Sequence, residues 1–387
     1  MPKSTISYLW RDPGAPGPFQ AGISLHGHTN ESQETLDFVA DWGSQYSLVQ
    51  PLLARLQRRS QERHGIQIDW TTSYWTPPLT PKLAFDLESD QIAKLGLMPL
   101  VSLSDHDNIQ APLKLRSVPS ARHIPISVEW SAPYAGKQAF HLGIHNLPSA
   151  RATQWMADLA DFTKNPNDAR LTEVLVALNK EPNVLVVFNH PIWDLFRIGQ
   201  EKHEFLVNEF LQKNGAYIHA LELNGLRGWE ENRATHRLGE SWNMLLISGG
   251  DRHGIEPNAN INLSNATSFT EFVAEIRKER ISNILFMPQY AEPLKHRFMQ
   301  STMDAIRDYP DFPQGSQTWD QRTFHQNADG VIRPLSEIWP GGRAPRVLQA
   351  IISSVRLMGR RPISASLRYA WKNSRELGFD LGDQEAY

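Results

Sequence analysis

The sequence predicts an α/β protein in which short strands alternate with helices and polar residues gather at the strand ends. Two observations predict this. From Gly22 to about Gln289, short apolar runs alternate with segments of helical spacing. Alongside those runs stand six polar clusters: His26-Gly27-His28, Asp105-His106-Asp107, Glu129, His141, Asn189-His190-Pro191 and Asp251-Arg252-His253. Strands fix the direction of a ligand side chain while the loops beyond them leave a cleft, so imidazoles and carboxylates at strand ends are a natural way to build a metal site.

The expected strands are Ala21–Leu25, Pro99–Leu103, Ile124–Val128, Phe140–Ile144, Val184–Phe188, Ile218–Leu223, Met244–Ser248 and Asn283–Met287. Helices are expected over Thr80–Leu95, Asp168–Asn179, Glu201–Lys213, Glu230–Trp242 and Thr270–Arg280, with Pro or Gly where several should stop. Residues 1–20 read as an N-terminal arm, 21–289 as the α/β domain, and 290–387 as a C-terminal extension. An insertion at about Trp42–Pro78 holds a polar helix-like piece, Leu52–Arg63, then Trp70, Tyr74 and Trp75; it reads as a surface excursion or a lid over the site. Tyr309–Ala344 is rich in Pro, Gly, Asp and Gln and reads as a surface connector. Beyond it, Arg343–Arg375 carries eight basic residues and no acid, around the apolar positions Val347, Leu348, Ile351, Ile352, Val355, Leu357 and Met358. Such a basic amphipathic helix can bind anionic membrane or nucleic acid; the expectation is that its apolar face docks on the protein.

Composition narrows the function. Apolar content of 40% and charged content of 21% over 387 residues fit one large globular domain with additions. A net charge of −3 argues against non-specific nucleic-acid binding as the main task, and the absence of cysteine excludes disulfides, thiol catalysis and Cys-ligated zinc. Met1–Gln20 lacks an apolar core of signal-peptide length and no run approaches a membrane span, so a cytoplasmic protein is expected.

Each cluster has its own chemistry. His26 and His28, two apart after an extended run, can face one ion. Asp105 beside His106 can ligate with it or orient it, and Glu129 can bridge two cations through its two oxygens. Of His141 and His145, His141 is preferred as a ligand. His190 is held between a buried strand and Pro191; Asp251 and His253 share one face after Gly249-Gly250, which allow a tight turn. Glu34 is a weaker candidate ligand, and Glu222 reads as either an orienting acid or an ordinary strand-end residue. His64, His123, His203, His219, His236, His296 and His325 read as surface or packing residues.

These motifs, Leu25-His26-Gly27-His28-Thr29, Leu103-Ser104-Asp105-His106-Asp107, Glu129, His141, Asn189-His190-Pro191 and Gly250-Asp251-Arg252-His253, resemble the PHP (polymerase and histidinol phosphatase) superfamily in type and order over about Gly22–Gly254. The resemblance implies a distorted (β/α)7 TIM-like barrel, with the insertion after the first strand and the helical C-terminal extension outside it. It also implies two or three divalent ions (zinc, manganese or iron) and phosphoesterase activity. Carried over by motif, one ion would be held by His26, His28, Glu129 and Asp251; a second by Glu129 and His106, with Asp105 nearby; a third by His141, His190 and His253. The chain departs from the family after His28-Thr29, where it reads Asn30-Glu31-Ser32-Gln33-Glu34, and only Glu34 offers to complete the second ion's shell.

The expected reaction is hydrolysis of a phosphate mono- or diester, of a small phosphorylated substrate or nucleotide, by a metal-activated water, with Asp105 or His253 passing a proton to the leaving group. Arg252, between two proposed ligands, should point away from them. Two rivals stand beside this reading: an amidohydrolase-like enzyme acting at carbon, and a non-catalytic metal-binding module whose basic tail binds nucleic acid or a partner.

Overall fold

Among the described residues the strands pair into three open sheets. The protein is represented by a computed structural model that describes residues 3–36, 55, 58, 61–62, 73–136, 138–308, 318–326, 330–339 and 342–371. Its strands are β1 (Lys3–Tyr8), β2 (Ala21–Ser24), β3 (Glu34–Thr35), β4 (Tyr74–Trp75), β5 (Met98–Val101), β6 (Val128–Tyr134), β7 (Gln138–His145), β8 (Leu185–Phe188), β9 (Ala220–Asn224), β10 (Leu245–Gly249), β11 (Asn260–Ser264), β12 (Ile281–Phe286), β13 (Thr323–Gln326) and β14 (Ile332–Pro334). One sheet runs β1-β12-β11-β2-β5, a second β10-β9-β8-β7-β6, and a third β14-β13-β4-β3.

The two larger sheets meet along both edges. At one seam Glu129 N–H donates to Asp105 O (3.1 Å) and Asp107 N–H donates to Glu129 O (2.9 Å). At the other, side chains replace the ladder: Ser248 N–H donates to Asn262 Oδ1 (2.8 Å) and Leu246 N–H to Ser4 Oγ (2.9 Å). No sheet is closed among the described residues, so the expected seven-stranded barrel does not appear as one continuous ladder. Strand alternation nevertheless joins the sheets in one core. Ile23, Leu185, Val187, Leu245 and Ile247 pack together with Phe269 and Phe272, while Val186 and Phe188, on the opposite face of β8, pack among Leu175 and Phe210.

The helices are α1 (Pro81–Ala93), α2 (Gln110–Leu115), α3 (Ala152–Lys164), α4 (Asp168–Lys180), α5 (Gln200–Asn214), α6 (Trp229–Trp242), α7 (Phe269–Ala274), α8 (Leu294–Ala305), α9 (Leu335–Ile338), α10 (Arg346–Met358) and α11 (Arg361–Trp371). Local chemistry sets their ends. Thr80 caps α1 ahead of Pro81, Asn167 caps α4, and Ser268 caps α7 through the Glu271 N–H. No helix among the described residues is long and apolar enough to cross a membrane.

Several expectations need correction. The strand read as Ile124–Val128 begins at Val128, so Glu129 is its second residue rather than the one after its end. β7 runs antiparallel to β6 and β8 because only a tight turn separates it from β6. That reversal is why His141, early in its strand, reaches the same end of the sheet as Asn189. Residues 1–20 are not only an arm: Lys3–Tyr8 pairs in parallel with β12. β11 was not foreseen, since Asn260, Asn262 and Ser264 break the apolar run. The connector read at Tyr309–Ala344 contributes β13 and β14, which pair through β4 to β3. The insertion's Leu52–Arg63 piece lies almost wholly outside the described residues, as do Trp70 and His64.

Candidate metal centre

Four of the residues at or beside the site hold the left-handed backbone that side chains with a Cβ rarely adopt: His26 (φ 62°), Asp107 (φ 49°), His190 (φ 29°) and Asp251 (φ 53°). His26, His190 and Asp251 each lie two residues past a strand end, and Asp107 lies in the loop after β5. Such conformations cost of order 1–3 kcal/mol each, and they cluster where function demands a particular side-chain direction.

The side chains converge on Glu129. Its Oε2 lies 3.0 Å from His26 Nε2, 3.4 Å from His28 Nε2 and 3.3 Å from His106 Nε2. Its Oε1 lies 3.3 Å from His141 Nδ1 and 3.2 Å from His190 Nε2. Asp251 Oδ1 is 3.6 Å from His26 Nε2 and 3.5 Å from His28 Nε2. Glu34 Oε2 is 3.3 Å from both His106 Nε2 and His253 Nε2.

The donor set fits cations. Two ligands each about 2.1 Å from a tetrahedral ion stand roughly 3.4 Å apart, the spacing seen throughout this cage. His26 Nε2, His28 Nε2 and His141 Nδ1 are buried and make no hydrogen bond, although they face the cage. Four overlapping groups have ligand atoms close enough to hold an ion: His26–Glu129–His190, His26–His28–Asp251, His28–Glu34–His106 and His106–Glu129–His141.

Without a cation, protons balance the buried acids. Burial opposes charge on His26, but Glu129, Glu222 and Asp251 outweigh it and raise its pKa well above the usual value. Burial likewise opposes charge on His106 and His253, yet Glu34 leads the carboxylates that raise them to about 10 and about 9. Glu129 and Glu34 are driven well below the carboxylate range against the effect of burial, mainly by His26 and His106 for the first and by His106 and His253 for the second. Burial lowers His28 and His190 to about 4, leaving neutral imidazoles suited to ligation.

A surrounding shell fixes these groups. Glu222 Oε1 is 2.6 Å from His26 Nδ1, which leaves Nε2 as the ring nitrogen that faces the cage, and Glu222 Oε2 accepts the His190 backbone N–H (2.9 Å). Asn189 donates to Glu129 Oε1 (2.9 Å), and Asn224 donates to Glu222 Oε2 (3.0 Å) and Asp251 Oδ2 (3.1 Å). Gly249 does not make the expected turn; it ends β10, and a Cβ there would lie 1.6 Å from Glu222 Oε1. Arg252 points away from the cage, as expected, and pairs with buried Glu88 (2.7 Å).

Two expectations change here. Asp105 faces backwards: Oδ1 accepts the Thr29 N–H (2.5 Å) and Oδ2 the Thr29 hydroxyl (2.8 Å), so it anchors the loop after His28 instead of facing the cage. His253 does not join His141 and His190. It stacks on His28 (4.3 Å between rings) on the Glu34 side, because its Nδ1 is tied to the Asp251 carbonyl (2.9 Å). His145, set aside in favour of His141, is hydrogen-bonded to Ser102 Oγ (2.8 Å) away from the cage.

Sequence reasoning missed Asn224 and Arg227. Arg227 is buried, lies 3.6 Å over the Trp193 ring and 3.7 Å from both Asp251 Oδ2 and, through Nε, Glu231 Oε1, with Nε making no hydrogen bond. A small pocket beside it is lined by His141, Asn189, His190, Pro191, Trp193 and Leu195. The Glu222-Leu223-Asn224 alternation was the available signal for the first, since residues two apart in a strand share a face. Arg227 lies in a loop with no periodicity to mark it.

No protein-family model matches the chain, and no curated protein matches it. Among solved structures, a proposed metal-dependent phosphoesterase from Bifidobacterium adolescentis is 14% identical, with a TM-score of 0.32 over 52% of this chain and 91% of its own. An amidohydrolase from Chromobacterium violaceum, solved with sulfate and no metal, is 14% identical, with a TM-score of 0.31 over 46% of this chain and 83% of its own. Likenesses of this size assign neither family nor reaction, and the chemistry rests on the buried groups of imidazoles and carboxylates that can hold metal ions.

Proposed function

We propose that the protein is a metal-dependent phosphoesterase of the PHP type, its two larger sheets forming a distorted (β/α)7 barrel with a site at one rim. The observation that carries this reading is the division of Glu129: Oε2 faces His26, His28 and His106 while Oε1 faces His141 and His190. A buried carboxylate so shared can bridge cations and reduce their mutual repulsion.

In this proposal His26, His28, Glu129 and Asp251 hold one divalent ion, Glu34, His106 and His253 a second, and Glu129, His141 and His190 a third. Zinc, manganese or iron suits such nitrogen and oxygen donors. Bound there, the cations supply Lewis acidity, making water a competent nucleophile near neutral pH and neutralising phosphoryl oxygens. Glu222 holds His26 in its ligating tautomer, and Asp105 positions Thr29 and the loop that follows His28. Arg227 favours phosphate over a neutral substrate: fixed against Trp193 at the edge of the cage, its guanidinium can pair with a non-bridging oxygen, which a lactone or cyclic amide does not carry as charge.

The test is turnover by metal-loaded protein on phosphomonoesters, phosphodiesters, lactones and cyclic amides. Phosphate esters should be cleaved, His26→Ala and Asp251→Ala should abolish turnover, and Arg227→Ala should raise KM about tenfold or more. Cleavage confined to lactones or amides, or full turnover by the alanine variants, would overturn the proposal.

A further inference from the structure

The basic C-terminal hairpin, α10 and α11, has two unlike sides. Its inner side is tied to the body. Leu348 packs on the group formed by Leu335, Ile338 and Trp339, and Arg356 donates to Ile306 O (2.8 Å) and Asp308 Oδ1 (3.0 Å). His296 Nε2 and Ser364 Oγ share a hydrogen bond (3.0 Å), and Arg368 pairs with Glu292. The expectation is an apolar face docked with its charges in water; instead Leu348 is joined by polar ties from Arg356, Ser364 and Arg368.

The outer side does not dock. Ile351 is 41% exposed, Leu357 48%, Met358 39% and Tyr369 79%. Ile351 and Met358 are seven residues apart and share one stripe, while Leu357 stands three turns along from Arg346 on the neighbouring stripe. Arg343, Arg346, Arg360 and Arg361 are exposed and have no acidic partner among the described residues. Between Arg343 and Arg375 the chain carries eight cations and no acid, although the whole protein is net negative.

We propose that this outer side docks on an anionic lipid bilayer. Large apolar side chains ringed by arginines match a headgroup layer, in which the apolar groups enter the acyl boundary and the guanidinium groups stay among phosphates. A nucleic acid would satisfy the arginines but leave Ile351, Leu357 and Met358 in water. A second copy would oppose like-charged surfaces, because a two-fold contact brings the same patch to both partners.

The experiment uses the full chain and vesicle co-sedimentation, comparing phosphatidylcholine alone with phosphatidylcholine containing phosphatidylserine. Binding should require the anionic lipid and weaken with salt. Each charge reversed in Arg346→Glu, Arg360→Glu and Arg361→Glu should weaken it by at least about fivefold. The pair Leu357→Ser and Met358→Ser should leave binding that moderate salt abolishes. Unchanged thermal unfolding of the variants shows that the fold is kept. Equal binding to neutral and anionic vesicles, no vesicle binding, retention on duplex DNA or RNA in place of vesicles, or an arginine-dependent doubling of mass would each overturn the proposal.

Discussion

Glu222 touches two of the site's elements at once, with Oε1 2.6 Å from His26 Nδ1 and Oε2 accepting the His190 backbone N–H. It ties β9 to the turns after both β2 and β8. Replacing Glu222 by Gln preserves shape but removes the charge that makes His26 a better donor. Metal affinity should fall about 10- to 100-fold, measured by competition with a chelating dye. Gly249→Ala, which forces the same carboxylate aside, should reproduce that loss and destabilise the fold by about 1–3 kcal/mol. Wild-type affinity in both variants would show that Glu222 is only a packing acid.

Glu34 lies within reach of His106 and His253 on one side of the cage, away from His141 and His190. Glu34→Gln should therefore lower the metal content of purified protein by one ion and leave the others bound. Elemental analysis against protein concentration checks this; loss of every ion, or of none, would contradict the proposed partition.

Metal uptake should acidify the solution. His106 and His253, raised to about 10 and about 9, carry protons at neutral pH when no ion is present. A cation can bind only after displacing them, so loading should release about two protons or more per chain. Titration calorimetry in buffers of differing ionisation enthalpy measures the number. Uptake without proton release would mean that these imidazoles are not ligands.

Asp304 gives stability a pH dependence away from the cage. Burial and the neighbouring Glu256 raise its pKa from 3.8 to about 8, against the effect of Arg307. The folded state thus keeps a proton that the unfolded chain has released. Its contribution is fully present below pH 3.8, declines as pH rises towards 8, and is level above that. Asp304→Asn retains an acceptor for the Ile255 and Glu256 N–H groups and should flatten this decline in denaturant midpoints between pH 5 and 8 (about the span of the shift). Parallel wild-type and variant curves would refute it.

The clusters that build the cage were legible because strand ends concentrate ligands, and neighbours two apart share a face. His26, His28, His106, Glu129, His141, His190, Asp251 and His253 all lie in it, together with Glu34. What one strand could not disclose was which oxygen or nitrogen would turn inward. Asp105 looked like a ligand because it adjoins His106, yet alternation along the chain sends it to Thr29. The partition of His253 was equally hidden, since it depends on the Asp251 carbonyl holding the ring. The reversal at β7 and the third sheet required pairings between segments with no common periodicity.

That third sheet links the beginning of the chain to its far end. Glu34 is held in β3, β3 pairs with β4, and β4 pairs with β13, so the register around one prospective ligand spans roughly 290 residues, from 34 to 323. On a ribosome, β3 and β4 can pair early, but the other edge of β4 must wait for nearly the whole polypeptide to emerge. A chain clipped ahead of β13 would keep the β3–β4 pair but lose the strand that flanks β4 on its other edge, leaving Glu34 in a two-stranded ribbon.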